Sequence, residues 1–146
     1  MRIMGLDIGS HTIGIAISDE LGLTAQALKT LRRRSMDEDL RELLEIIAQF
    51  RIEKLVVGLP RNMDGTLGKQ ADGVLQWIKA AEKRINLPTL TWDERLSTVE
   101  ASRVLLQADL SRKKRRKVID KLAAVLILQG YLNQIRKHQN GSLPST

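Results

Sequence analysis

The chain has 146 residues, 42% of them apolar and 28% charged, which is the length of one globular domain with a sizeable core and excludes a disordered chain. It has no Cys and two His, so a disulfide framework, a thiolate nucleophile and a typical zinc site are excluded, and any metal must be held mainly by oxygen. Its 24 Lys and Arg against 17 Asp and Glu leave a net charge of +7, which favours a polyanionic partner, nucleic acid above all. Aromatics make up only 3%, so affinity is expected from backbone or shape contacts rather than base stacking. No apolar run approaches the roughly 20 residues of a membrane helix, and the opening MRIMGLDIGS lacks the features of a secretory signal. A cytoplasmic protein with no membrane partner is expected.

Residues 2–8 are a β-branched and aliphatic run ended by Gly9, and 12–18 (TIGIAIS) alternate as a half-buried strand does; the two pair as a hairpin around residues 9–11. Residues 27–32 make a third strand. Ser35 and Glu38 then form a capping-box pattern ahead of Leu40, Leu43, Leu44 and Ile47, which predicts a helix over 36–50. A strand over 54–59 is stopped by Pro60, and Ala71, Val74, Leu75 and Ile78 mark a second helix running towards Arg84. Residues 88–92 give the last strand. Ser97 with Glu100 is a second capping-box pattern opening a helix through about Gln107, and 118–137 form a final long helix. The order predicts one α/β domain over 1–137, a mixed five-stranded sheet flanked by helices whose crossovers make the later strands parallel. Residues 138–146, rich in Gly, Ser and Pro, read as a disordered tail.

In such sheets sites gather at strand ends, and Asp7, Pro60 and Glu94 fall at or just past the carboxyl ends of predicted strands. Asp7 is a lone charge in an apolar strand, costly to bury unless paired or bound to a cation; the alternative is a structural Asp bonded to the turn that follows. In DERLST, alternation sends Asp93 and Glu94 to opposite faces, so one cation does not take both; Glu94 is assigned to the metal and Asp93 is kept in reserve. Asp120 opens the final helix, where the macrodipole alone favours a carboxylate, but LAAVLIL is apolar all round and Asp120 shares the face of Ala124 and Ile127, which turns it towards the sheet. Asp7, Glu94 and Asp120 together make an oxygen site for one or two Mg²⁺ or Mn²⁺ ions, the hard cations that carboxylates suit. The flexible, glycine-bracketed GLPRNMDG loop at a helix start, with Arg61 and Lys69, fits phosphate contact, as does Arg95, though many strand-to-helix loops read this way. The unbroken cations Arg112, Lys113, Lys114, Arg115, Arg116 and Lys117 are the strongest backbone-binding candidates, while Arg32, Arg33 and Arg34 are as consistent with a solvated surface as with binding.

The ordered motifs GLDIGSHTIGIAISD, VVGLPRNMDGTLGKQA, DERLST and IDKLAAVLILQGYL resemble the YqgF-type Holliday junction resolvase-like family, over nearly the whole chain from Met1 to about Arg136. The resemblance implies an RNase H-like fold, a bacterial cytoplasmic nuclease of pre-16S ribosomal RNA maturation acting on ribosomal precursors, and Asp7, Glu94 and Asp120 as its catalytic metal site. The chain departs from the usual pattern where His11 and Thr12 replace Lys-Arg, which removes two cations near Asp7. Metal-assisted phosphodiester hydrolysis is the expected chemistry, with structured RNA preferred as substrate and a DNA junction as the alternative. A resolvase cutting two strands symmetrically would be a dimer. Two further readings are an ATP-binding protein of the actin or sugar-kinase type, whose two-lobed body needs more than 146 residues, and a non-catalytic nucleic-acid-binding assembly factor.

Overall fold

The computed structural model describes residues 1–96 and 112–141, with side chains described for 1–96 and 122–138. Its elements are β1 (Arg2–Ile8), β2 (Thr12–Ser18), β3 (Ala25–Arg32), α1 (Met36–Phe50), β4 (Ile52–Leu59), α2 (Lys69–Glu82), β5 (Thr89–Asp93), a single 3-10 turn (Glu94–Leu96) and α3 (Arg112–Gly141). The strands form one sheet in the order β3-β2-β1-β4-β5. β1, β2 and β3 are joined antiparallel, whereas β1, β4 and β5 run parallel. This is the mixed five-stranded α/β sheet expected from the element order.

Period-2 alternation divides the sheet between two apolar layers. Met4, Leu6, Val57 and Leu59 face Leu40, Leu43, Val74 and Trp77 of α1 and α2. Ile3, Val56 and Trp92 face Ala124, Ile127 and Leu128 of α3 on the other side. α3 lies close to the sheet because two glycines admit it. A Cβ on Gly5 would stand 2.7 Å from Leu128 Cβ and 3.1 Å from the Ala124 carbonyl, and one on Gly58 would collide with Ile127 Cδ1. Lys54 Nζ near the start of β4 donates to the Tyr131 hydroxyl at 3.2 Å, while Gly58 near its end meets Ile127. α3 therefore runs antiparallel to β4, and its N-terminal half points towards the carboxyl ends of the parallel strands.

Ser35 caps α1 as the sequence predicts, its Oγ accepting from the Glu38 N–H at 3.1 Å, while the Glu38 carboxylate takes the Ser35 hydroxyl, Oγ to Oε1 at 3.2 Å. β3 and β4 each begin two residues earlier than expected, at Ala25 and Ile52. α3 begins at Arg112 rather than 118, because Lys and Arg are good helix formers even without an apolar period. Asp120 is thereby moved out of the first turn, beyond the reach of the N-terminal dipole, which corrects the expected placement. At its far end α3 continues through His138 to Gly141. The helix expected from Ser97 to Gln107 lies outside the described residues. Among the described residues no helix is long and apolar enough to cross a membrane.

Candidate active site

The register brings the candidate carboxylates to one edge of the sheet. Leu6 pairs with Val57, so the next residue, Asp7, stands level with Gly58, and Gly58 in turn pairs with Trp92, two residues before Glu94. Alternation gives these positions a common face. Gly5 and Gly58 both abut α3 and Trp92 packs in the α3 layer, so Asp7, two residues beyond Gly5, shares that face. Glu94 joins them as the chain leaves β5 in the 3-10 turn: it is only 6% exposed, and its Oε1 lies 2.8 Å from where a Cβ on Gly58 would be. The missing side chain of Gly58 is the space that the Glu94 carboxylate occupies. With neighbouring strands about 4.8 Å apart, half-buried Asp7 sits one strand to the side of that carboxylate.

Asp93 has a different role. Arg95 chelates it, with Nε 3.1 Å from each carboxylate oxygen and Nη2 2.7 Å from Oδ2, and the Arg95 N–H donates to Oδ1 at 3.0 Å. Arg61 Nε stands 3.8 Å from the same Oδ2. The hydrogen bonds from the Arg95 side chain hold the Asp93 carboxyl below its ordinary value, against an opposing push from burial. Asp93 is thus committed to two guanidinium groups, and Glu94 is the carboxylate of the pair directed into the site.

Both arginines also secure the loop after β4. Arg61 Nη1 donates to the Gly65 carbonyl at 3.1 Å and Arg95 Nη1 to the Met63 carbonyl at 3.4 Å. Within the loop, Asn62 N–H donates to Thr66 O at 3.0 Å, Gly65 N–H to Asn62 O at 2.8 Å, and Asp64 Oδ1 accepts from Thr66 N–H at 3.0 Å and Thr66 Oγ1 at 2.6 Å. The Thr66 bonds lower the Asp64 pKa. Where the sequence reads as a flexible loop, these bonds pin it, with Gly65 at φ 89° supplying the left-handed turn residue. Lys69, exposed, is the first residue of α2. The backbone of Arg112, Lys113, Lys114, Arg115, Arg116 and Asp120 is helical, and their side chains lie outside those described.

Of the expected metal ligands, the structure brings Asp7 and Glu94 to one face and one edge. Among the described residues no three His, Cys, Asp or Glu side chains cluster as a complete metal site. Sequence reasoning missed Gly58, although a glycine inside an apolar strand such as LVVGLP is the usual sign of a close approach to the backbone.

This strand order, with helices on both faces and carboxylates at the carboxyl edge of the parallel strands, is an RNase H-like α/β fold. Thermus thermophilus RuvC in complex with a Holliday junction substrate has the same fold, with a TM-score of 0.56 at 18% identity over 92% of this chain and 96% of that one. The chain belongs to the RuvX family, whose model, described as Holliday junction resolvase, matches residues 1–134. A relative from Desulforamulus reducens is 55% identical over 133 residues, 91% of this chain and 97% of its own. Another, from Moorella thermoacetica, is 55% identical over 141 residues, 97% of this chain and 99% of its own. Both carry the name "Putative pre-16S rRNA nuclease".

Proposed function

We propose that this protein is a divalent-metal-dependent endonuclease that hydrolyses phosphodiester bonds in precursor 16S ribosomal RNA, in the cytoplasm and on ribosomal precursor particles. Membership of the RuvX family and the names of the relatives support nuclease action on nucleic acid. The observation that carries the reading is the buried Glu94 carboxylate in the space left by Gly58, on the face and at the edge where Asp7 also lies. A buried carboxylate in the space left by Gly58, in a chain without Cys, suits a hard cation with oxygen ligands. Asp120 is the third ligand of this reading. It precedes Ala124 by four residues and Ile127 by seven, a helical spacing that repeats their face, in the half of α3 that points to the strands' carboxyl ends.

Asp7, Glu94 and Asp120 would hold Mg²⁺ or Mn²⁺, which when bound supplies a water of lowered pKa and charge stabilisation at the leaving oxygen. The protein's own part is positional. Gly58 fixes where the Glu94 carboxylate can stand, and buried Ile127 packs against the same glycine from α3. The substrate backbone is bound by Arg61, Arg95, Lys69 and residues 112–116, with Asp93 holding the first two in place.

The test is incubation of the wild type, Asp7→Asn and Glu94→Gln with a structured 16S precursor, single-stranded RNA and a DNA four-way junction, in Mg²⁺, Mn²⁺ or EDTA. Cleavage of the precursor that needs metal and is lost in both variants is the expected result. Mg²⁺ should also raise the melting temperature of the wild type but of neither variant, a readout independent of turnover. Cleavage of the junction alone would make the protein a DNA resolvase; binding without cleavage, indifferent to Asp7→Asn, would make it a non-catalytic assembly factor.

A further inference from the structure

The end of β3 and the turn between β1 and β2 meet beside Asp7. Thr12 pairs with Arg32 and Ile13 with Ile8, so β3 ends at the same edge of the sheet as β1. Arg33 follows at once and is tied to that turn twice. Its backbone N–H donates to the His11 carbonyl and its Nη1 to the Gly9 carbonyl, each at 2.8 Å.

The three consecutive arginines have separate fates. Arg34 is spent on carboxylates, with Glu38 at 3.7 Å, Asp39 at 3.6 Å and Glu42 at 3.7 Å. Arg32 ends β3 and is exposed. Half-buried Arg33 has a carbonyl as its side-chain partner and is in none of the ion pairs among the described residues. A guanidinium carries five N–H donors, and the Gly9 carbonyl takes one. The anchoring bond also fixes the planar head, so less side-chain freedom is lost when an anion binds. Asp7 and Glu94 thus have a fixed cation on the β1 flank, opposite the Arg61 and Arg95 pair on the β5 flank.

We infer that Arg33, anchored on the Gly9 carbonyl, binds the phosphodiester backbone of a nucleic-acid strand on the Asp7 side of the site. The inference rests on the nuclease reading for the identity of the polyanion, but its test does not require turnover. Affinity for a structured 16S precursor RNA is measured across a salt series in EDTA, where cleavage is silent, for the wild type, Arg33→Gln, Arg33→Lys and Arg34→Gln. Each lost phosphate contact lowers the slope of log affinity against log salt by about 0.7 to 0.9. Over a tenfold rise in salt, Arg33→Gln should therefore lose about five- to eightfold less affinity than the wild type. Arg34→Gln, which removes the same charge from the neighbouring residue, should keep the wild-type slope, and so should Arg33→Lys, which keeps a cation in place. A wild-type slope in Arg33→Gln, or equal losses in the Arg33→Gln and Arg34→Gln proteins, overturns the inference and leaves the nuclease reading intact. Absence of salt-dependent binding by the wild type overturns both.

Discussion

Gly58→Ala tests the link between packing and chemistry at one atom. The added methyl would stand 2.8 Å from Glu94 Oε1 and 3.0 Å from Ile127 Cγ1, and would collide with Ile127 Cδ1. Ile127 is fully buried and cannot swing into solvent, so either α3 lifts from the sheet or the carboxylate shifts. Overpacking of a tight core costs about 1–3 kcal/mol, offset by the roughly 0.5–1 kcal/mol gained when a strand glycine is replaced. The net loss, up to about 2.5 kcal/mol, corresponds to a fall in melting temperature of up to about 10 °C for a chain of this size. Cleavage should fall further than stability, because displacing a reacting group by about 1 Å can cost on the order of 100-fold. The assay pairs thermal unfolding with cleavage measured well below both melting temperatures. Gly73→Ala is the control: nothing lies within 4 Å of its Cβ position on α2, and removing a helix glycine should raise the melting temperature. Wild-type melting and wild-type cleavage in Gly58→Ala would refute the packing argument. Lowered melting with intact cleavage would mean that α3 yields to the methyl and the Glu94 carboxylate keeps its place.

Two further outcomes follow from the hydrogen bonds. Ser35→Ala removes the side-chain cap of α1 and should destabilise the fold by about 1 kcal/mol in thermal or denaturant unfolding, with cleavage per folded molecule unchanged. Asp93 titrates lower in the folded state than its ordinary 3.8, so its stabilising contribution is fully present above that pH and is lost as the pH falls through the lowered folded value. The gap in melting temperature between wild type and Asp93→Asn should therefore be constant near neutrality and shrink as the pH drops below about 4. A gap that widens in acid would contradict the Arg95 assignment.

Local signals were legible where they were strong. Ser35 and Glu38 marked the start of α1, and Met36–Phe50 is the helix that the apolar spacing predicts. β3 was hard to delimit because its start is fixed by a distant partner: the Ala25 N–H donates to Gln129 Oε1 of α3. Ile52 is hard to read as strand because two charged residues in a row, Glu53 and Lys54, interrupt the alternation at the start of β4, where its pairing with β1 shifts register. The helical course of residues 112–117 carries no apolar period at all. At the site, alternation foretold that Asp93 and Glu94 would part, but which of them turns inward depends on Gly58 and on two arginines, one of them on a different loop.

That division of labour explains why two adjacent carboxylates are not interchangeable. Asp93 ends β5 on the side where Arg95 and Arg61 converge, and its short side chain can be chelated by the residue two positions ahead. Glu94 begins the 3-10 turn just past β5, and the extra methylene lets its carboxylate reach from there to the space beside Gly58 on the neighbouring strand β4. The same arginines that neutralise Asp93 hold the Met63 and Gly65 carbonyls, so the loop after β4 and the turn after β5 are fixed to each other at the residue next to the buried carboxylate. The aspartate therefore contributes rigidity to a neighbour whose position the glycine defines, and exchanging the two residue types would remove both the chelate and the reach.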